Sequence, residues 1–560
     1  MPSAVPVTVV VLTKNEEKRL PDCLESVRFA DEVLVIDDES TDRTEAVALQ
    51  RGAKVLHRKM DIEGRHRNWA AQQARNDWIL SVDADERVTP ELAAEIQDLF
   101  KGTPPFQVYS VPRRNFIGKR WLRHGGWYPS PQVKLYKRTV FKWEEATVHC
   151  RAISDQPSGG LRGDLIHYSY RDLGDFIGKL NRQTTLETQK WLGDGRKMSR
   201  GKALWRTADR FLRSYIGKKG YKDGWIGFTT AVLGGLYQFV SYAKYWEAST
   251  PDAAGGRAGQ AGLDRPSGHG GPSNQRGTSE GGRERVASQG QRAYGGPARP
   301  PAAGRESLAV VLMTKNEEKR LAHCLDPVKG WADEIVVIDD ESADRTREIA
   351  KAYTPKVFVH RSEDNHDRQW NLGLEKAQAE WILHIDADEI VTPALKSAID
   401  RALAQPNRAL SAYDLMRLNF FLGRPMRHGG WRHKHRILFR RTKSRCSGQG
   451  IHVKLQVDGK IGFLDAEIEH YPFSSFSQFI DRQNHYTTVE AEVMFKEKGR
   501  LPWKEVRRQM VVRPWKLFWK MYAKQAGYRD GPTGFFFAAL FAFFHHALWA
   551  KYWERAEEQA

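Results

Sequence analysis

WILSVDADERVTP, residues 78–90, carries an apolar run, Trp78-Ile79-Leu80, straight into Asp83, Asp85 and Glu86. Carboxylates crowded at a strand end repel one another, so something must compensate them. The stretch returns as WILHIDADEIVTP at 381–393, a recurrence in more detail than a plain surface turn shows. A short apolar run ending at polar residues reads as a buried strand. In open α/β sheets, ligands collect beyond the carboxyl ends of such strands.

Working outward, Val7–Leu12 is a β-branched run and predicts another strand. Residues 16–27 have helical spacing through Leu20, Leu24 and Val27. Further strands are expected at 33–36, 55–57 and 78–82, with helices at 41–50 and 65–75. Such alternation gives an α/β fold: a parallel sheet covered by helices on both faces. TKNEE, DDES and DADE all fall at strand ends. After residue 105 the pattern changes to shorter β segments, then to long helices from about 172.

The module is written twice. TKNEEKRL at 13–20 recurs identically at 314–321, DEVLVIDDESTDRT at 31–44 as DEIVVIDDESADRT at 333–346, and RHGGW at 123–127 again at 427–431. Copy one is expected over 1–250 and copy two over 307–560. Between them, 251–306 is rich in Gly, Arg, Ser, Pro and Ala and reads as a flexible linker. The 560 residues carry a net charge of +19, which favours a polyanionic partner such as nucleic acid, an acidic membrane face or a phosphorylated substrate. The four Cys lack zinc spacing, and Cys23 and Cys324 sit at matching helical positions, so buried thiols are expected. The chain opens directly into a strand without a signal-peptide pattern, which predicts a cytoplasmic, reducing compartment.

Each motif has a structural reading beside a functional one. Thr13-x-x-Glu16 fits a helix capping box; Asn15, Glu16 and Glu17 at a strand tip also fit a nucleotide-binding loop. Asp38 and Ser40 can start the next helix, or accept hydrogen bonds from a base edge or ribose hydroxyl. The paired acids of DADE can hold a hard divalent cation beside a diphosphate, neutralising charge on a departing nucleoside diphosphate. Thr89-Pro90-Glu91 is the cap, N1 proline and first-turn acid of a helix.

Together VTVVVLTKNEEKRLPDCLESV, VLVIDDESTDRT and WILSVDADERVTP resemble family-two glycosyltransferases of the GT-A fold. RHGGWYPSPQVKLYKR, LIHYSYRDLGDF and GYKDGWIGFTTAVLGG resemble the branch that adds sugars to the lipopolysaccharide inner core, as do RHGGWRHKHRILFRR, IEHYPFSSFSQFI and GYRDGPTGFFFAALFAFF in copy two. The resemblance implies two GT-A-like, Rossmann-like nucleotide-sugar-binding domains, each followed by a helical membrane-associating region. It implies donor contacts at Thr13, Asn15, Glu16, Asp38 and Asp83, and at Thr314, Asn316, Glu317, Asp340 and Asp386. Asp85 and Asp388 would ligate Mg²⁺ or Mn²⁺. An inverting transferase also needs a carboxylate base. Where the branch often has Asp after WYP and Glu after VH, copy one has Ser130 and Cys150 and copy two Lys434 and Val453. Glu144 and Glu145 are therefore the expected catalytic bases of copy one, whereas copy two has Gly448-Gln449. His124, His149 and His167 recur as His428, His452 and His470 and fit either phosphate or acceptor contacts or a structural role.

Trp515, Phe518, Trp519 and Tyr522 follow helical spacing beside Lys516, Lys520 and Lys524; Leu204, Ala208, Phe211, Leu212 and Tyr215 run beside Arg206, Arg210 and Arg213. Aromatic-plus-basic helices suit an anionic membrane surface. The apolar stretches 225–243 and 535–550 are read as interfacial or core-buried rather than spanning. The expectation is a tandem glycosyltransferase, peripheral on the inner face of the cell membrane, acting on a lipid-linked saccharide. Its rivals are a polyprenyl-phosphate sugar synthase, one active domain with a degenerate scaffold copy, and a basic nucleic-acid-binding protein. No recognised nucleic-acid module supports the last, and no nucleic-acid partner is expected.

Overall fold

The computed structural model describes residues 5–146, 150–250, 304–362, 366–446 and 455–559. Most of the expected linker, and His149, Gly448, Gln449, His452 and Val453, lie outside the described residues. The chain divides into two compact units, one of residues 1–249, 476–514 and 543–560, the other of 250–475 and 515–542.

In unit one the apolar runs form β1 (Val5–Thr13), β2 (Ala30–Asp37), β3 (Lys54–His57) and β4 (Trp78–Asp83), interleaved with α1 (Leu20–Ser26), α2 (Thr44–Gln50) and α3 (Glu63–Gln72). β5 (Glu86–Val88) and α4 (Pro90–Leu99) follow, Thr89 capping α4 as expected by accepting from the Leu92 amide. Next come β6 (Val108–Val111), β7 (Arg113–Ile117), β8 (Arg120–Trp121), β9 (Gln132–Lys137), β10 (Lys142–Trp143), β11 (Ala152–Ile153), β12 (Ser158–Gly160) and β13 (Leu165–Tyr170). The main sheet has the order β12-β6-β9-β4-β1-β2-β3, and a second has β5-β13-β7-β8. β3, β2, β1 and β4 are parallel, as alternation predicts, but β9 enters antiparallel, so the sheet is mixed. Val7, Val9, Val11, Leu80 and Val82 are buried on one face with Leu20, Cys23 and Leu24 of α1. Burial pushes the Cys23 thiol up to about 12, which makes it an inert core residue.

Unit two repeats this plan with one change. The strands at 410–421 and 460–473 run unbroken through the regions where unit one has β6 then β7 and β12 then β13, so one nine-stranded sheet replaces two. Pro112, between β6 and β7, has no amide to give a ladder, whereas Met416 at the corresponding place has one.

The helices α5 (Leu173–Gly193), α6 (Arg200–Leu212) and α7 (Gly224–Ser249) complete copy one. In unit one, Lys244 of α7 is buried and donates to the Asn181 carbonyl, the Asn181 side chain and Thr185. Lys551 does the same with Asn484, Thr487 and Thr488. Of the two amphipathic stripes, half of each packs inward. Phe211 and Tyr215 meet Phe228, and Phe518 and Tyr522 meet Phe535. The other half stays exposed: Leu204, Trp205, Leu212 and Ile216, and Trp515 and Trp519. One helix among the described residues, Gly527–Glu558, is long and apolar enough to cross a membrane, and most of its apolar window is buried.

Candidate functional site

The loops after β1 and β2 lock together at the carboxyl edge of the sheet. Asn15 and Glu39 both adopt positive φ, which turns each chain sharply at its strand end. The Asn15 amide donates to Ser40, and the Asn15 side chain accepts from the Thr41 amide. The Glu16 amide donates to Thr44 and that of Glu17 to Asp42. Thr13 is no helix cap: it ends β1, buried, with its hydroxyl turned to the Ile36 carbonyl, and α1 starts only at Leu20. Asp38 likewise does not start a helix. Its carboxylate accepts from the Met60 amide at 2.8 Å and meets the Lys14 ammonium at 3.0 Å. Burial works to raise its pKa, yet these donors hold it below the usual carboxylate value. Copy two matches with Asn316, Ser342, Glu317 and Thr346, while Lys315 and Ser362 hold Asp340 and Thr314 turns to Asp339.

The crowded acids are compensated largely by the protein's own cations. Arg67 of α3 donates to Asp83 at 2.8 Å and Lys134 of β9 reaches it at 3.3 Å. Lys134 also bonds Glu86 at 2.5 Å, and Arg113 lies 3.8 Å from Glu86. Glu86 in turn accepts from the Asp83 amide, bracing the turn. Burial opposes ionisation of Asp83, but Arg67 and Lys134 overcome it and hold that carboxyl far below its ordinary value. Asp85 stands apart: its nearest partners are the His167 ring at 3.7 Å and the Arg19 guanidinium at 3.8 Å, and burial raises its pKa.

His167 is oriented by Asn115. The Asn115 amide group donates to the Trp127 carbonyl, so its oxygen is the acceptor that faces His167 Nδ1 at 2.8 Å. Nδ1 therefore carries the proton, and burial lowers the His167 pKa and favours the neutral ring. The lone pair of Nε2 is left aimed at Asp85. A carboxylate and a neutral imidazole fixed by an outer hydrogen bond are two groups that could enter the coordination of a divalent metal, although no group of three such side chains placed to hold an ion occurs among the described residues. Copy two repeats it: Asn419 holds His470 Nδ1 at 2.6 Å, and Nε2 lies 3.4 Å from Asp388. There Asp386 and Glu389 are held by Arg417, at 3.0 and 2.8 Å. At the places of Arg67 and Ser81, copy two has Trp370 stacked on His384. The acid clusters are thus alike in plan and different in charge.

The structure does not bring Glu144 and Glu145 to this cluster. Glu145 is exposed and pairs with Arg65 at 3.0 Å; the Glu144 carboxylate accepts from the Arg151 amide at 3.4 Å. His124 and His428 are structural, each held by an aspartate, Asp223 at 2.7 Å and Asp530 at 2.9 Å. The Asn115–His167 pair escaped sequence reading, although the recurring asparagine at 115 and 419 and the recurring histidine were its visible signal. A cavity of about 600 Å³ adjoins His167, Asn115 and Arg113.

The model of the family described as glycosyl transferase family 2 matches residues 8–158 and again 309–454. An uncharacterized glycosyltransferase of Rickettsia typhi is 25% identical over 255 residues, covering 43% of this chain and 87% of the relative. The lipopolysaccharide core biosynthesis glycosyltransferase LpsC of Rhizobium meliloti is 23% identical over 250 residues, covering 43% of this chain and 93% of the relative. Among solved structures, glucosyl-3-phosphoglycerate synthase from Mycobacterium tuberculosis, in complex with Mn²⁺, UDP and glucosyl-3-phosphoglycerate, aligns at 22% identity with a TM-score of 0.18. That alignment spans 20% of this chain and 44% of the synthase.

Proposed function

Because the chain belongs to glycosyl transferase family 2, we propose that it moves sugars from nucleotide-sugar donors to a lipid-linked saccharide such as lipopolysaccharide core, binding donor and metal in both copies. The observation that carries this reading is the placing of His167 Nε2 3.7 Å from Asp85 with Asn115 on the other ring nitrogen, repeated by His470, Asp388 and Asn419. A carboxylate–imidazole pair at a strand tip suits Mg²⁺ or Mn²⁺. A bound divalent ion would neutralise the departing nucleoside diphosphate. Asp38 and Asp340 accept hydrogen bonds from the nucleoside, Asp83 and Asp386 lie toward the ribose, and the loops at Thr13–Glu16 and Thr314–Glu317 frame the base. The acceptor class follows the likeness to LpsC. In an inverting transfer the attacking hydroxyl gives up a proton to a carboxylate; Glu144 and Glu145 are the sequence candidates in copy one, but they make no contact with Asp83, Asp85 or His167, and either serves as base only by approaching the acceptor from the α3 side, where Glu145 meets Arg65. The exposed tryptophans and leucines of the late helices rest on the inner membrane face, with neighbouring Lys and Arg on anionic headgroups.

Calorimetry on the full chain with a panel of nucleoside diphosphates and Mn²⁺ tests the donor sites. Two metal-dependent sites are expected; Asp85→Ala and Asp388→Ala should each remove one, and the double variant both. Metal-dependent binding that survives in the double variant refutes the assignment. In a sugar-transfer assay, Glu144→Gln or Glu145→Gln should lower turnover about a hundredfold with nucleotide affinity unchanged. Full turnover in both moves the base elsewhere.

A further inference from the structure

The cavity beside His167 is built for more than a neutral sugar. It is lined by His167, Asn115 and Trp127 and also by Arg210, Lys218 and Tyr237. The Lys218 side chain lies over Gly126, so closely that a Cβ there would come within 2.7 Å of it. Arg210 lies against Gly234. Neither cation has a carboxylate within ion-pair distance among the described residues, although most other arginines of the site do. The Tyr237 hydroxyl is buried and has no hydrogen-bond partner among the described residues. One carboxylate, Glu187, also lines the cavity and accepts from Trp191 Nε1; two cations outside any ion pair and an orphaned hydroxyl outweigh it and point to an anionic ligand with hydrogen-bonding oxygens.

Copy two supplies the contrast. Gln525 takes the place of Lys218, over Gly430. Leu517, Phe537 and Phe541 stand where copy one has Arg210, Thr230 and Gly234. Phe537 is 1% exposed and stacks on Trp431 with ring centroids 4.3 Å apart, covering the indole face that in copy one borders the cavity.

We propose that the copy-one cavity is an acceptor site for a phosphorylated saccharide, which copy two does not share. The phosphate lies against Lys218 and Arg210, the sugar ring packs its C–H face on Trp127, and the reacting hydroxyl points toward His167 and Asp85. The role as acceptor site rests on the transferase reading above.

The test is a ligand-observed NMR titration of full-length protein with a hexose 6-phosphate, the same hexose, and inorganic phosphate. The hexose phosphate should bind at one site, at least tenfold tighter than either fragment. Arg210→Leu/Lys218→Gln, which installs the copy-two residues, should weaken it tenfold or more. Gly234→Phe should do the same by filling the space; a Cβ at Gly234 makes only ordinary contacts, 3.6 Å to Arg210. Equal binding of the hexose or of inorganic phosphate, or unchanged affinity in both variants, overturns the proposal. Nucleoside diphosphate binding in the same samples checks that the variants are folded and separates the two failures. Protein that binds hexose phosphate but no nucleotide sinks the transferase reading. Protein that binds nucleotide but does not discriminate among these probes or variants sinks the cavity assignment.

Discussion

Removing the asparagine that orients each histidine should cost copy two more than copy one. Asn115 is 3% exposed and Asn419 1%. Either change to Ala deletes the acceptor of a histidine Nδ1–H and the donor to a tryptophan carbonyl. An orphaned buried donor costs about 1–3 kcal/mol, enough to shift the imidazole to the other tautomer and place a proton where the lone pair should face the aspartate. In copy one, Ser169 Oγ lies 3.0 Å from His167 Nδ1 and can accept that proton in place of Asn115. In copy two the corresponding residue is Pro472, which has no hydroxyl. Losing such an outer partner typically costs about 10–100-fold in metal affinity. Asn419→Ala should therefore lower Mn²⁺ affinity across that range, and Asn115→Ala by less than about tenfold. Each is read on full-length protein by Mn²⁺ paramagnetic resonance with nucleoside diphosphate present, the other copy silenced by Asp85→Ala or Asp388→Ala. Asn419→Asp keeps the accepting oxygen and should restore metal affinity even where it lowers thermal stability, which a merely structural asparagine would not do. Equal losses in the two copies, or no loss in copy two, would refute the tautomer argument.

Anionic liposomes should retain the protein at low salt and release it as salt rises, and Trp205→Ser/Trp515→Ser should weaken retention because both rings are more than half exposed; sedimentation indifferent to lipid charge and to both substitutions would remove the peripheral membrane reading. Burial lowers the Lys551 pKa to about 7, well below an ordinary lysine, so above about pH 7 the unfolded chain binds a proton that the folded chain does not, and stability should rise with pH until the unfolded lysine titrates. Glu554, raised to about 8 by burial, has the opposite slope below that value, and the buried Cys23 thiol has it above about pH 9, so thermal midpoints between about pH 8 and pH 9 are compared with those of Lys551→Met, which should flatten the rise; an unchanged slope would mean that the ammonium stays charged on its Asn484 and Thr487 acceptors.

Much of the donor side was legible because it is local in sequence. Buried strands show as apolar runs, acids at their tips show as motifs, and duplication printed both twice. What was not legible depends on residues far apart in the chain. Nothing near DADE says that Asp83 is held by Arg67 and Lys134 while Asp85 is left to His167. Thr13 reads as a helix cap because Glu16 stands three residues on, but the strand runs to Thr13 and the loop turns at Asn15 before any helix begins. His124 fitted a phosphate or acceptor contact and a structural role alike, and Asp223, ninety-nine residues on, makes it a brace. The aromatic stripes were correctly periodic, but periodicity alone does not say that Phe518 and Tyr522 turn to Phe535 while Trp515 and Trp519 face out.

The differences between the copies are not spread evenly, and their distribution bears on whether copy two is a spent duplicate. Copy two keeps Glu389 buried, 1% exposed, with the less buried Asp386 and Asp388 beside it, between Arg417 and Arg320. Burial lifts the Glu389 pKa to about 8, above an ordinary carboxyl, even with Arg417 2.8 Å from its Oε1. Buried charges of this kind are expensive, and well-packed apolar residues in their place are often neutral or stabilising. A domain serving only as a scaffold gains nothing from holding three acids at a strand tip with Asn419 still fixing the tautomer of His470. On the acceptor side the change runs the other way: Phe537, 1% exposed, replaces Thr230 and stabilises by burying apolar surface, while Phe541 in the place of Gly234 stays 37% exposed. Costly groups retained at the donor edge, beside cheap packing where copy one has its cavity, favour a second copy that still binds a nucleotide sugar and serves a different acceptor, or none.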